Sequence, residues 1–201
     1  MTQYFENDPA LAHDEQTFQF DLAGHQLTFT TDNGVFSKHT VDFGSRTLID
    51  TVMAQTLIAG PVLDVGCGWG PIGLSLAKAM PTRHVVMSDV NERALALAKR
   101  NATANQVENV EILESSVYDA IEGSFAAIVT NPPVRAGKAV VSAILSGSLA
   151  HLLPGGELFV VLQKKQGAPS ALKLMKATFG DAVVLQKAHG YYILHAQKAS
   201  V

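Results

Sequence analysis

From Gly60-Pro61 onward, short apolar runs alternate with amphipathic stretches, and this alternation constrains the fold more than any other feature. "VLDV" (62–65) has the look of a buried strand and residues 71–80 that of a helix. Residues 84–88 read as the next strand, and "NERALALAKRNATANQ" as an amphipathic helix with Asn91 as its N-cap. "VEILES" and "FAAIVT" add two strands, and "KAVVSAILSGSLAHLL" a helix stopped by Pro154-Gly155-Gly156. "ELFVVLQ" is a further strand and "PSALKLMKATFG" a helix ending on Gly180. Such alternation predicts a mostly parallel sheet with helices on both faces. "AVVLQKAHGYYILHAQK" leaves no room for a helical crossover, so it reads as a hairpin whose last strand runs antiparallel.

The part before residue 60 is patterned differently. Residues 1–16 are polar and weakly patterned, a flexible arm by expectation. "TFQFDLAGHQLTFTT" alternates Phe18, Phe20, Leu22 and then Leu27, Phe29 around Ala23-Gly24-His25, which predicts a β-hairpin. "DNGVFSKHTVDFGS" is a loop, and "RTLIDTVMAQTLI" carries apolar residues at helical spacing. A single domain over 17–201 is expected, with a hairpin and helix at 17–59 and an α/β core at 60–201. At 201 residues and 47% hydrophobic content, the chain can bury a full core.

The net charge of −3 sets up no general field for nucleic acid, although a local basic rim remains open. Lys38, Arg135, Lys138, Lys164 and Lys165 could form one, and solvated charges explain them equally. Cys67 is the single cysteine, which excludes an internal disulfide and fits a reducing cytosol. The start of the chain has no signal-peptide pattern, and no run reaches the ~18 apolar residues of a membrane span. The seven histidines are dispersed, so no metal site is expected. A cytoplasmic protein follows from these readings.

"GWGPIG" (68–73) fits G-x-G-x-x-G, the spacing of a dinucleotide fingerprint. In an open α/β sheet, ligands bind beyond the carboxyl ends of the strands, where glycines let backbone approach closely. S-adenosylmethionine sites exploit the same geometry. Asp89 ends the next strand and could accept both hydroxyls of a ribose, which either cofactor carries. Asp64 stands two residues before Gly66, giving D-x-G-x-G-x-G. A carboxylate there suits an ammonium and a sulfonium better than a pyrophosphate, which tilts the reading toward the methyl donor. Cys67 has no base nearby in sequence and reads as a small filler rather than a nucleophile.

"IVTNPPVRAGK" follows the fourth strand of the alternating series, on the same sheet edge. Asn-Pro alone is an ordinary turn former. Here two prolines constrain Asn131 and Pro132, which can aim the Asn131 side-chain oxygen and the Pro132 carbonyl at one point. Two rigid acceptors would hold both hydrogens of a planar exocyclic amine and point its nitrogen lone pair at a methyl group. No strong base is required first, because the leaving group is neutral. Catalysis would then come from positioning and preorganised dipoles.

"DVGCGWGPIG", "SDVNERALALAKRNATAN" and "NPPVRAGK" together resemble the small-domain class of S-adenosylmethionine-dependent methyltransferases, and among these the bacterial 16S ribosomal RNA guanine-N2 enzymes. "GVFSKHTVDFGSRTLI" looks like the segment preceding the glycine motif in that family, so the resemblance spans about residues 17–197. It implies an α/β, Rossmann-like class I methyltransferase fold: a seven-stranded mostly parallel sheet with an antiparallel last strand, helices on both faces, and an N-terminal β-hairpin extension. It implies S-adenosyl-L-methionine as cofactor, with Asp64, Gly66, Gly68 and Gly70 on the methionine side and Asp89 on the ribose. Cys67, Val90, Ser116, Val117 and Asn131 complete the expected cofactor set. Asn131, Pro132 and Pro133 form the expected catalytic loop, and Phe36, Ser37, Asp42 and Gly44 close over cofactor and base. Phe36, Ser37, Lys38, Val134 and Arg135 make the expected substrate set, and ribosomal RNA or the small subunit the expected partner.

Two positions depart from the family pattern. Val134 stands where an aromatic often stacks on the base, and Arg135 could replace part of that contact. Ser116 stands where relatives often place an aspartate near the adenine. Methylation of a protein glutamine or of adenine N6 uses the same loop and stays open, as does a non-catalytic RNA-binding module. Gly190-Tyr191-Tyr192 in the closing hairpin reads as packing.

Overall fold

Strand β1 (Gln16–Leu22) and strand β2 (His25–Thr31) pair antiparallel from Gln16 opposite Thr31 to Leu22 opposite His25. Their turn residues Ala23 and Gly24 have φ of 50° and 78°, the left-handed pair that matches the twist of a two-residue hairpin. These elements come from a computed structural model that describes Asn7 and residues 10–200. Helix α1 (Phe43–Met53) starts ahead of the expected Arg46, because the Asp42 side chain accepts from the Ser45 amide and caps it. It stops at Met53, so 54–58 are not helical as expected.

The rest follows the expected alternation: β3 (Val62–Val65), α2 (Pro71–Ala79), β4 (Val85–Asp89), α3 (Glu92–Ala104), β5 (Val110–Glu114) and β6 (Phe125–Thr130). Then come α4 (Lys138–Gly147), β7 (Leu152–Gln163), α5 (Ala168–Phe179), β8 (Val183–Ala188) and β9 (Tyr191–Gln197). The seven-stranded sheet has the order β5-β4-β3-β6-β7-β9-β8. Only β9 is antiparallel to its neighbours. The helix expected over 138–153 ends at Gly147, followed by a 3-10 turn over Ser148–His151. Strand β7 begins at Leu152, ahead of Pro154-Gly155-Gly156, and its register against β6 jumps between Phe125 and Ala127. Gly156 is needed there, since a Cβ would sit 2.8 Å from two backbone oxygens.

Alternation along the strands makes two cores. Val62, Met87, Val129 and Phe159 face α1, α2 and α3, while Leu63, Ile128, Leu158 and Val160 face α4 and α5. The hairpin docks on the first of these layers through Trp69, a buried residue of the glycine loop. Phe18 and Phe29 meet its ring edge-on at 5.9 and 5.0 Å. Burying an aromatic side chain of this size is worth about 4–6 kcal/mol at 25 cal/mol per Å2.

The outer edge of β2 is covered by side chains rather than by another strand. Asn105, the C-cap of α3, accepts from Thr28 N and donates to Thr28 O, at 2.8 and 2.7 Å. One helical turn earlier, Asn101 does the same for Thr30 and also donates to Trp69 O at 2.9 Å. Two carboxamides thus complete a ladder that would otherwise lie open.

Of the segment expected to be a loose arm, residues 1–6, 8 and 9 lie outside the described residues. The rest is tied down. Arg93 donates to Leu11 O, Asp32 accepts from Asp14 N and pairs with His13, and Glu15 forms a two-pronged pair with Arg100. His13, Glu15 and Asp32 are the one group among the described residues with metal-ligand spacing. Asp32 and Glu15 are engaged by arginines there.

Candidate functional site

The carboxyl ends of β3, β4, β5, β6 and β7 converge on a cavity of about 420 Å3. Residues 66–69 follow β3, Asp89 and Val90 end β4, Ser115–Val117 follow β5, Asn131–Val134 follow β6, and Gln163 ends β7. From the other side, Val35, Phe36, Ser37, Asp42 and Ser45 form a roof. The Trp69 indole donates to Phe36 O at 2.7 Å, which pins this roof to the glycine loop.

Four backbone amides of the glycine loop already have partners within the fold. Gly66 N and Cys67 N both donate to Ser88 O, Gly68 N to Asp89 Oδ2, and Gly70 N to Cys67 O. Inside α2, Gly73 N donates to Asp64 Oδ2 at 2.8 Å. A pyrophosphate is bound by free amides at such a helix start, and these are not free. Nor does any lysine, arginine or histidine line the cavity among the described residues, whereas Asp42 and Asp89 do. The lining therefore favours a cationic ligand over a phosphate.

Asp64 is not part of that lining, which corrects its expected role as a cofactor contact. Strand parity turns it away from the cavity toward α2, where it is fully buried under Gly73 and Met87. Its Oδ1 has no hydrogen-bond partner, and burial raises its pKa to about 7. Gly70 and Gly44 also lie outside the lining. Gly70 N-caps α2 with φ of 98°. Gly44 lets the Tyr191 ring approach α1, where a Cβ would stand 2.7 Å from it. Cys67 does line the cavity, and burial pushes its thiol well above the usual range, with the carboxylates of Asp89 and Asp64 adding to this. A protonated thiol is no nucleophile.

Asp89 accepts from Gly68 N at 2.8 Å through one oxygen and from Asn91 N at 2.9 Å through the other. The lone pairs left over remain open to a ligand hydroxyl. Burial raises its pKa, opposed by the amides of Asn91, Gly68 and Val90. Beside it, Val117 has φ of 52°, which for a β-branched residue is strained. Ser115 holds that conformation by donating to Val117 O while accepting from Ala120 N.

Asn131 leaves the fully buried β6 and enters the cavity facing the start of α1. Its Nδ2 lies 3.0 Å from Ser45 Oγ and 3.4 and 3.5 Å from the two Asp42 oxygens. The NH2 is thereby directed at Asp42 and Ser45. Pro132, Pro133 and Val134 continue the wall.

Most of the expected residues therefore meet: Phe36, Ser37, Gly66, Cys67, Gly68, Asp89, Val90, Ser116, Val117, Asn131 and the two prolines with Val134. Lys38 and Arg135 do not. The Lys38 ammonium turns back to Asn33, 2.8 Å away, and to Asp14. Arg135 sits exposed in the short 3-10 helix Val134–Ala136 and is not part of the lining. Ser45, Gln163, Gln166 and Tyr191 line the cavity without having been anticipated. Tyr191 corrects the reading of the closing hairpin as packing alone.

Comparison with known proteins agrees with this geometry. Residues 26–195 match the methyltransferase small domain family. The chain belongs to that family. An uncharacterized protein of Bacillus subtilis, YbxB, is 49% identical over 197 residues, covering 97% of this chain and 98% of that protein. Ribosomal RNA small subunit methyltransferase C of Erwinia tasmaniensis is 34% identical over 190 residues, covering 92% of this chain but 54% of that enzyme. The T. thermophilus 16S rRNA N2 methyltransferase RsmC, solved with AdoMet and guanosine, superposes with a TM-score of 0.82 at 29% identity. That match covers 95% of this chain and 52% of the other. This small-domain methyltransferase thus spans about half the length of those two named ribosomal RNA enzymes. Its cavity chemistry suits S-adenosylmethionine, the donor in the T. thermophilus complex. No helix among the described residues is long and apolar enough to cross a membrane.

Proposed function

We propose that this chain methylates the exocyclic N2 of a guanine in 16S ribosomal RNA. The observation that supports it best is the meeting, in one carboxylate-lined cavity, of Asp89 with an Asn131 whose NH2 is taken up by Asp42 and Ser45. The residues present fit S-adenosylmethionine. Gly66 and Gly68 bring bare backbone to the cavity, and a Cβ on Gly68 would meet nothing within 4 Å, so the space above it is open for a ligand. Asp89 would hold the ribose, and the Ser116-Val117 backbone would border the adenine. When bound, this cofactor supplies a methyl group on a sulfonium whose departure leaves a neutral thioether.

The chain's own contribution is orientation. Asn131 Oδ1 and the Pro132 carbonyl would accept the two amine hydrogens, directing the nitrogen lone pair along the transfer line. The amine needs no prior deprotonation, because its nitrogen sheds a proton after the bond forms. A guanine inside a duplex cannot reach this depth, so the base must be splayed or flipped out. Phe36, 44% exposed at the rim, offers the aromatic face that Val134 lacks. Exposed Lys164 and Lys165 flank Gln163 and could meet backbone phosphate.

The test is incubation with labelled S-adenosylmethionine and, in parallel, undermethylated small subunits, free ribosomal RNA and protein extract. Label is expected in RNA as N2-methylguanine. Label confined to protein would replace this reading with glutamine methylation, and N6-methyladenine would replace the base. Asn131→Ala should abolish transfer while calorimetric binding of the donor persists. Wild-type turnover by that variant would end the amine-clamp account.

A further inference from the structure

A carboxamide can sit either way round, and only one way serves an amine. Held with its oxygen inward, Asn131 accepts hydrogens from the substrate; reversed, its NH2 would face an N–H donor and repel it. What chooses between the two is the group on the other side. Asp42 presents a carboxylate to Asn131, with both oxygens within 3.5 Å of Nδ2. An ionised carboxylate only accepts, so it admits the NH2 and rejects the oxygen. Ser45 Oγ, 3.0 Å from the same nitrogen, can donate or accept and so makes no choice of its own.

Asp42 is itself held in place. It is the N-cap of α1, and its Oδ1 accepts from Ser45 N at 3.1 Å. The side chain that caps the helix therefore also faces the carboxamide at the end of β6, across 89 positions of sequence. We propose that Asp42 is a positioning residue, which fixes the orientation of the Asn131 carboxamide so that its oxygen faces the reacting amine. This deepens the function proposed above and depends on it only for the rate measurement.

The discriminating variants are Asp42→Asn and Asp42→Ser, since both residue types cap helices as well as aspartate does. Asparagine keeps the shape but can satisfy Asn131 in either orientation, and serine is too short to reach it. Each should lower kcat for methylation of the small subunit by roughly tenfold, the worth of one charge-assisted hydrogen bond. The loss should fall on kcat well beyond any change in substrate KM, a split that general loosening of α1 would not produce. In 15N-labelled protein, the Asn131 side-chain amide, identified by its loss in Asn131→Ala, should lose protection from exchange in both variants. An unchanged kcat, or an Asn131 amide as protected as in wild type, overturns the proposal. If the wild-type chain methylates no RNA, the substrate reading fails by itself, and the amide measurement still decides for or against Asp42.

Discussion

Replacing Asp64 by asparagine tests what a buried carboxyl under the glycine loop does. Burial lifts its pKa from the ordinary 3.8 of an aspartate to about 7, against the lowering effect of Gly73 N–H. The folded state thus keeps a proton that the unfolded chain has released, and stability falls as pH rises between these two values. Nothing is lost below about pH 4, and the full cost, on the order of 4 kcal/mol, is present above pH 7. Between pH 5 and pH 8 the wild type should lose about 3 kcal/mol through this one group. Asparagine stays neutral and its oxygen can still accept from Gly73 N, but its NH2 would occupy the site of the partnerless Oδ1. That costs about 1–3 kcal/mol at every pH. The variant should therefore be less stable than wild type near pH 5 and equal or more stable near pH 8. Urea unfolding at both pH values measures this, with S-adenosylmethionine affinity followed in parallel. A stability difference that does not change with pH would refute the buried-acid reasoning. A tenfold loss of donor affinity would return Asp64 to the ligand contacts.

Asp89→Ala removes the acceptor of Gly68 N and Asn91 N as well as the ribose partner, and should weaken donor binding by about 10–100-fold in calorimetry; unchanged affinity would displace the ribose from Asp89. Asn105→Ala strips both bonds from Thr28 and should cost about 2–3 kcal/mol, seen as a lower urea midpoint and faster exchange of the Thr28 amide. A Thr28 amide as protected as before would mean that the carboxamide does not seal the hairpin edge.

The order of strands and helices was readable because the central strands of the parallel sheet are short, largely apolar runs, and "VLDV" and "FAAIVT" are buried throughout. The convergence of the glycine loop, Asp89 and Asn131 followed from that order alone. What spacing could not supply was direction. D-x-G-x-G-x-G places a carboxylate beside the glycine loop, but strand parity points Asp64 to the opposite side, away from the cavity. The choice of methyl donor over dinucleotide survives on other evidence: spent loop amides, and the carboxylates of Asp42 and Asp89. Contacts between distant segments were equally hidden. Tyr191 reaches the cavity only because Gly44 leaves room for its ring. The start of α1 had a local sign that was passed over, an aspartate three residues before Ser45 with the geometry of a cap. Asn101 and Asn105 likewise stand four apart at the end of α3, the spacing that lets both meet one strand.

Asn101 joins pieces of the chain that look independent when written out as a string. One carboxamide grips the hairpin at Thr30 and the glycine loop at Trp69 O, while Trp69 in turn holds Phe36. A fragment cut to begin at Gly60 would look complete by its strands and helices. It would nevertheless bare the Trp69 ring to water and take from two amide side chains their partners on the hairpin, Thr28 and Thr30. The boundary between extension and core is thus a feature of the text and not of the object. The hairpin and the roof of the cavity are joined through Asn101 and Trp69, so a change that loosens either carries to the other.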